Sequence, residues 1–333
     1  MAPPRQFMLP LFLGACVAAA SLPAQQPQNI SSTAALQIAL DRNGFGVGPI
    51  DGREGVRTRG ALLDFCRSRH LNEKAARVAL TNSPGAAFVA YEVTDDDVGE
   101  LGTAPVDWAE AADVPSMAHS SMDHWLAERF HASPRYIQRL NPAVSNWDAS
   151  LSGVSVTVPN ARPASWHPAA ARLEVDCRAL RLRAFDTNDI LIASFPCSIA
   201  VDSGRVPKGD LRVAAFAPDP NYTFDPVNFP ESARAQEIGR KLIIPPGPKN
   251  PVGVYWLSLS APGFGIHGTP HPETIGRRES HGCFRLTNWD ILTLAQMVSA
   301  GTPVRVVNVP PPATPAPDEG NGRTTGTPAG ERP

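Results

Sequence analysis

Proline and glycine interrupt this sequence too often for a fold made of long helices. The chain has 35 prolines and 26 glycines among 333 residues, and a proline inside a helix removes one hydrogen bond and clashes with the preceding turn. A chain of this length also exceeds what one hydrophobic core usually organises. The sequence therefore predicts a multidomain protein of the α+β class, with two or three modest domains.

The charge balance argues against nucleic acid as a partner. The formal net charge is -2 at pH 7, so the chain has no broad cationic field that would attract a polyanion. Its apolar fraction of 42% is sufficient for packed cores. The composition thus favours a folded protein whose ligands are not nucleic acids.

The N-terminal residues have the pattern of an export signal, predicted here at residues 1–24. Arg5 precedes an apolar run from Phe7 to Leu22, and small residues overlap the end of that run. Export would place the protein in the periplasm or cell envelope. Two alternatives stay open: an uncleaved membrane anchor, and a lipoprotein, since Leu13-Gly14-Ala15-Cys16 resembles a lipobox with Cys16 as the acylated residue. Contact with a membrane is expected only in these two cases.

Export also bears on the cysteines, because disulfides persist outside the cytoplasm. After the signal, the cysteines are Cys66, Cys177, Cys197 and Cys283. If Cys283 stays a free thiol, the best-placed pair is Cys177 with Cys197, since both lie in strand-like runs about twenty residues apart. Cys66 falls in a helical pattern, where a buried apolar role is expected.

Residues 31–75 are predicted to form a small helical domain. Apolar residues recur at helical spacing before and after a glycine-rich centre at residues 44–52. The motifs Leu36-Gln37, Ile50-Asp51-Gly52, Gly55 and Thr58 resemble those of the three-helix type of peptidoglycan-binding domain. The resemblance implies that this domain binds the bacterial cell wall.

Residues 91–160 are predicted to form a second small module. Two helical patterns separated by a turn are followed by a short strand at residues 154–160. Leu140-Asn141-Pro142 and Val158-Pro159 resemble the LysM-like carbohydrate-binding modules, which implies an α/β fold that contacts glycan strands. A structural spacer without glycan contact is the alternative.

From Arg172 onward, the sequence pattern becomes typical of successive β-strands. After a linker at residues 163–171, residues 172–309 are predicted to form a mainly-β domain with one clear helix, capped by Asn288. The stretch from Phe216 to Lys249 is longer than an ordinary connection, which predicts a lid or a substrate wall. Residues 310–333 are rich in proline, glycine and threonine and are predicted to be a disordered tail.

A cysteine and three of the eight histidines lie close together in the β-rich region, at His267, His271, His281 and Cys283. A free thiol is mostly protonated at neutral pH, so a nucleophilic cysteine needs an imidazole or a neighbouring positive charge. Gly282 leaves the backbone free to turn beside the thiol. The residues alone leave three interpretations open: a cysteine–histidine hydrolase or transferase, a zinc site formed by these four side chains, and a structural cluster.

Two motifs in this region resemble the signature of the L,D-transpeptidase catalytic (YkuD-like) family. They are Ile266-His267-Gly268-Thr269 and Ser280-His281-Gly282-Cys283-Phe284-Arg285-Leu286, and the likeness extends to Gly301-Thr302-Pro303-Val304. The resemblance implies a C-terminal mainly-β sandwich with few helices, no cofactor and no metal. It also implies that Cys283 is the nucleophile and that His267, in preference to His281, donates and accepts the proton. Arg285 would bind a substrate carboxylate. Supporting or oxyanion-site roles are implied for His281, Gly282, Ser280, Gly268 and Thr269.

The family's reaction is transfer between peptidoglycan stem peptides, with the donor stem held as a thioester on the cysteine. The resemblance therefore implies peptidoglycan stems and glycan strands as partners and 3→3 cross-links as products. Water as acceptor would make the enzyme an L,D-carboxypeptidase, and a protein or a D-amino acid is a further possible acceptor. A cell-wall-binding scaffold without catalysis is the non-enzymatic alternative, and for Arg285 a structural ion pair is the alternative.

Overall fold

The computed structural model describes residues 31–148, 150–161, 168–229, 232–280 and 282–311. The predicted signal peptide with Cys16, residues 163–167 of the predicted linker, His281 and residues 312–333 of the predicted tail lie outside these ranges. Within them, no helix is long and apolar enough to cross a bilayer.

The first described residues form a group of short helices, α1 (Ser32–Arg42), α2 (Val56–Arg69) and α3 (Glu73–Thr81). The Ser31 hydroxyl accepts a hydrogen bond from the Ala34 N–H and so caps α1, as an N-cap serine does. Gln37 is buried and accepts hydrogen bonds from the N–H groups of Asp51 and Gly52. This side chain therefore holds the glycine-rich turn between α1 and α2 against α1.

The second region places helices α4 (Asp95–Gly99), α5 (Trp108–Asp113), α6 (Met122–Arg129) and α7 (Pro134–Leu140) between strands β1 (Phe88–Glu92) and β2 (Ser155–Pro159). The two strands pair antiparallel, from Phe88 opposite Pro159 to Glu92 opposite Ser155. Buried side chains of this region and of α1–α3 form one continuous hydrophobic cluster, which also takes in Phe185 and Leu191 of the β-rich region. The N-terminal residues are thus packed directly on the domain that follows.

The β-rich region follows, with the elements β3 (Arg172–Asp176), β4 (Arg181–Phe185), β5 (Leu191–Pro196), β6 (Ile199–Ala200), β7 (Asp210–Pro218), β8 (Tyr222–Phe224), α8 (Ala233–Ile238), β9 (Leu242–Ile244), β10 (Tyr255–Leu259), β11 (Gly265–His267), β12 (Arg278–Ser280), β13 (Phe284–Arg285), α9 (Asn288–Met297) and β14 (Pro303–Val307).

One eight-stranded sheet dominates this region, with the order β13-β11-β10-β7-β14-β3-β4-β5. Strand β7 joins its two parts, pairing through residues 210–212 with β14 and through residues 213–218 with β10. Apolar side chains from both parts of the sheet and from helix α9 fill one core, which matches the expected mainly-β sandwich with few helices.

Helix α9 corrects the expected cap. The residue that caps it is Thr287, whose hydroxyl accepts from the Asp290 N–H, while Asn288 is the first helical residue and is 1% exposed. Threonine and asparagine are both preferred N-cap residues, so the sequence alone does not decide which of these two neighbours caps the helix. The amide of Asn288 is therefore free for contacts elsewhere.

The segment between β7 and β10 forms a small subdomain. Strands β8 and β9 pair antiparallel, and together with α8 they pack against helix α5 around Trp108. The Trp108 ring stacks on Phe224 with centroids 4.7 Å apart. The segment predicted to be a lid is thus attached to the second N-terminal region.

The cysteines do not pair as predicted. Cys177 and Cys197 are both buried free thiols in the structure, so the expected disulfide is not formed. Burial raises the pKa of Cys177 to about 11. Cys66 is also a buried free thiol, packed in the N-terminal cluster as expected.

Candidate active site

Two adjacent parallel strands bring the predicted catalytic residues together. In the pairing of β11 with β13, His267 lies opposite Arg285 and Ile266 lies opposite Phe284. Cys283 directly precedes β13, and the charge of Arg285 acts on the pKa of both the Cys283 thiol and the His267 imidazole. The thiol and the imidazole therefore both lie within electrostatic range of one guanidinium.

The Cys283 thiol is half-buried, and its Sγ lies 3.7 Å from the carbonyl oxygen of Gly263. Burial raises the pKa of this thiol, while the Gly265 N–H and the charge of Arg285 act in the opposite direction. Burial disfavours a thiolate because a charge is poorly solvated there. Burial thus favours the protonated form of the Cys283 thiol over the thiolate.

Ser280 shapes the loop that presents the nucleophile. Its hydroxyl donates to the carbonyl oxygen of Cys283 at 2.6 Å and accepts from the Gly282 N–H at 3.3 Å. A Cβ on Gly282 would come within 2.9 Å of the Phe264 ring, so only glycine fits beside that ring without displacing it. Ser280 and Gly282 thus shape the backbone turn before Cys283 and their supporting roles stay predictions, whereas His281 lies outside the described residues.

The His267 ring is buried and oriented through its Nδ1. This nitrogen is 2.7 Å from the carbonyl oxygen of Gly268, and since a carbonyl only accepts, Nδ1 carries the proton and Nε2 is left as the acceptor. Burial and, as the second cause, the nearby charge of Arg285 lower the pKa of His267 to about 3. The ring is thus a neutral base.

Thr269 and Trp256 are neighbours of His267 that make different contacts. The hydroxyl of Thr269, for which a supporting role is expected, accepts a hydrogen bond from the His271 N–H at 3.2 Å. Trp256, which the sequence analysis did not single out, stacks on the His267 ring with centroids 5.2 Å apart and planes 14° apart. Trp256 lies directly opposite His267 in the pairing of β10 with β11, and only a strand alignment would have revealed it.

Arg285 has an open hydrogen-bonding capacity. Its Nε is buried and has no hydrogen-bond partner among the described residues, and its nearest carboxylate contact is to Glu279 at 3.8 Å. Its backbone N–H donates to the carbonyl oxygen of Ser198 at 2.9 Å, which fixes the strand. A guanidinium held this way can receive a carboxylate.

The segment between β7 and β10 reaches this site through Tyr222. Burial raises the pKa of Tyr222, and the charges of Arg285 and Cys283 also act on the pKa of its phenol. Tyr222 therefore lies within electrostatic range of the nucleophile and of the guanidinium. The structure thus brings one residue of the predicted lid close to the catalytic side chains.

His271 is not gathered with the other site residues. Its side chain is 42% exposed, and its Nδ1 lies 3.4 Å from a carboxylate oxygen of Glu273. Within the described part of the chain, no group of three or more potential ligands is arranged to hold a metal ion. The arrangement is that of a cysteine acyltransferase: a thiol nucleophile, a neutral imidazole that accepts its proton, and a cation placed for an anionic substrate.

Comparison with known proteins identifies the domain that carries this site. Residues 170–306 match the family model of the YkuD L,D-transpeptidase catalytic domain. A Bacillus licheniformis relative named as an L,D-transpeptidase, YkuD, is 28% identical over 181 residues, which cover 54% of this chain and 90% of the relative. A relative in Fuscovulum blasticum, also named as an L,D-transpeptidase, is 34% identical over 113 residues, which cover 34% of this chain and 57% of the relative.

Solved structures add a weaker likeness. The crystal structure of an L,D-transpeptidase from Xylanimonas cellulosilytica is 15% identical, covers 86% of this chain and all of its own, and has a TM-score of 0.36. The assignment therefore depends on the sequence matches. Residues 170–306 are an L,D-transpeptidase catalytic domain, and the protein is an enzyme of this type.

Proposed function

We propose that this protein is an exported L,D-transpeptidase that forms 3→3 cross-links between peptidoglycan stem peptides. The observation that carries the proposal is the position of Arg285, which lies opposite His267 in the pairing of β11 with β13 and whose charge acts on the Cys283 thiol. A nucleophile, a base and an anion-binding group at adjacent positions are what transfer from a carboxylate-terminated peptide requires.

In the first half-reaction, the Cys283 sulfur attacks the carbonyl carbon of the third residue of a donor tetrapeptide stem. The thiol proton passes to Nε2 of His267, the nitrogen that carries no proton in the neutral ring when Nδ1 donates to Gly268. Collapse of the tetrahedral intermediate breaks the peptide bond, and His267 returns the proton to the amine of the departing D-alanine. The donor stem remains as a thioester on Cys283.

In the second half-reaction, the side-chain amine of a diamino acid on a neighbouring stem attacks the thioester. His267 accepts a proton from this amine and delivers it to the Cys283 sulfur as the C–S bond breaks. The products are a 3→3 cross-link and the free thiol. Water in place of the amine would give an L,D-carboxypeptidase reaction on the same residues.

Arg285 is proposed to hold the terminal carboxylate of the donor stem. Its buried Nε has no hydrogen-bond partner within the described ranges, and this together with the long 3.8 Å contact with Glu279 supports this role over a structural ion pair. Gly282 and the main-chain N–H groups near Cys283 are proposed to stabilise the oxyanion.

The regions before the catalytic domain are proposed to bind the cell wall. Residues 31–75 would contact peptidoglycan, and residues 91–160 would contact glycan strands, as their motifs imply. With cleavage of the signal peptide within residues 1–24, the enzyme would work in the periplasm, associated with its polymer.

Mass spectrometry tests the nucleophile and the reaction together. We expect a carbapenem to leave a covalent adduct on the wild-type protein that maps to Cys283, and purified tetrapeptide stems to yield dimers that lack one D-alanine. Cys283→Ala should do neither. Cys66→Ala, which removes another buried thiol, is the matched control and should retain both activities.

Two results would change the proposal. Dimers formed by Cys283→Ala would refute the catalytic assignment, because no other nucleophile is proposed. Tripeptides without dimers from the wild type would assign the enzyme to hydrolysis instead of transfer.

A further inference from the structure

Asn288 contacts both backbone segments that frame the catalytic histidine. A Cβ on either Gly253 or Gly268 would lie 2.1 Å from Oδ1 of Asn288, so this oxygen packs directly on both glycines. The same oxygen accepts a hydrogen bond from the Val254 N–H at 3.3 Å. Gly268 is the residue whose carbonyl oxygen orients His267. The position of the Asn288 amide therefore controls the position of the His267 loop.

The other end of the Asn288 amide is held by one partner outside the catalytic domain and one inside it. Its Nδ2 donates to a carboxylate oxygen of Glu128 at 2.9 Å and to the carbonyl oxygen of Pro248 at 3.0 Å. Asn288 is 1% exposed, so a lost partner could not be replaced by bulk water. Every hydrogen-bonding group of this side chain is thus used inside the protein.

Glu128 lies in the last turn of α6, where a carboxylate is unfavourable beside the negative end of a helix. Its contact with the Asn288 amide compensates for that placement, and its second oxygen lies 3.4 Å from Nε2 of His119. The contact joins residues 160 positions apart in the sequence. This geometry is specific to the packing of α6 against α9.

The neighbouring backbone is held from the same side. The Met117 N–H donates to the carbonyl oxygen of Pro246 at 2.9 Å, and the Lys249 N–H donates to the carbonyl oxygen of Met117 at 2.8 Å. The segment from 246 to 254 therefore has fixed contacts with the second N-terminal region on one side and with Asn288 on the other.

We propose that Glu128 is a positioning residue for the transpeptidation reaction, acting through Asn288 and Gly268 on the base His267. The inference rests on the proposed function for the reaction itself. Its consequence is that the region before the catalytic domain takes part in setting the geometry of the active site, in addition to any binding of the cell wall.

The test compares Glu128→Ala with Glu128→Gln in the full chain. Loss of the carboxylate should lower kcat about 10- to 100-fold, because a displacement of about 1 Å at a catalytic group has effects of that size. KM for the donor stem should change less than about threefold, since Arg285 is not touched. Glu128→Gln keeps an acceptor oxygen for Asn288 and should retain most of the activity.

Glu100→Ala is the matched control. Glu100 accepts from the Trp125 indole N–H at 2.7 Å within the same region, so its removal costs a comparable hydrogen bond without touching Asn288. It should leave kcat unchanged. Equal losses of kcat in Glu100→Ala and Glu128→Ala would overturn the proposal, as would a Glu128→Ala enzyme with wild-type kcat.

A readout independent of catalysis separates this proposal from the proposed function. The ring Nδ1–H of His267 should have a distinctive proton and nitrogen chemical shift because of its hydrogen bond to Gly268. We expect that signal to move in Glu128→Ala and to stay in place in Glu100→Ala, even if stems are not substrates. An unmoved signal in Glu128→Ala would refute the positioning role.

Discussion

Cys283 is expected to rest as a neutral thiol beside a neutral His267, and not as a thiolate–imidazolium pair. Burial lowers the pKa of His267 to about 3 and raises that of Cys283 above its ordinary value. A base of that pKa is protonated at pH 7 in about one molecule in ten thousand, so formation of the imidazolium costs about 5 kcal/mol. Proton transfer must therefore accompany attack on the substrate.

The rate of alkylation by iodoacetamide measures this resting state. The reagent is small and neutral, it reacts with the thiolate only, and Cys66, Cys177 and Cys197 are buried. Between pH 5 and pH 9, the labelling rate of Cys283 should rise about tenfold per pH unit without a plateau, as expected for a thiol with a raised pKa. His267→Gln should follow the same profile, because the imidazole does not stabilise a resting thiolate.

A preformed ion pair would give a different result. The wild-type rate would reach a plateau below pH 7, and the plateau would vanish in His267→Gln, with the profile shifted to higher pH by several units. That outcome would refute the argument from burial. The result expected here instead implies that substrate binding, through contact with Arg285 and exclusion of water, precedes ionisation of the thiol.

Further predictions concern stability and substrate binding. Asp64→Ala should lower the free energy of unfolding in urea by about 3–5 kcal/mol, because it leaves the buried guanidinium groups of Arg181 and Arg183 without their shared carboxylate. Removal of the exposed carboxylate of Asp189 should cost less than about 1 kcal/mol, and equal losses would contradict the argument. Arg285→Lys should raise KM for the donor stem about tenfold in steady-state kinetics, since lysine lacks the two-point contact, and an unchanged KM would rule out that contact.

The sequence suggests Cys283 and His267 as catalytic residues because they lie in two short motifs. The residues alone leave a transferase, a zinc site and a structural cluster open, so the roles of the two side chains depend on the resemblance to a family signature. Trp256 has no such motif, since its stacking on His267 arises from the antiparallel pairing of β10 with β11. The role of Glu128 is still harder to predict, because its contact with Asn288 depends on how two helices that are distant in the sequence pack against each other.

Strand β4 illustrates why burial is harder to predict than strand position. The alternation in Leu180-Arg181-Leu182-Arg183 is typical of a strand with one face open to water, yet all residues of β4 are buried. Helix α2 covers the polar face, and Asp64 accepts hydrogen bonds from both arginines there, at 2.9 Å from each Nε. The sequence predicts the strand, while the covering helix belongs to a region that appears independent in the sequence.

These contacts determine how the cell-wall-binding role of the N-terminal regions should be tested. Deletion of residues 31–160 would remove Asp64 from two buried guanidinium groups and Glu128 from the Asn288 amide. Such a deletion should inactivate the enzyme through its structure, whether or not the deleted residues bind glycan. Substitution of solvent-facing side chains that do not contact the catalytic domain, with sacculus binding and stem cross-linking measured on the same variants, separates the two roles. Reduced binding with unchanged cross-linking of soluble stems is the result that a wall-binding role requires.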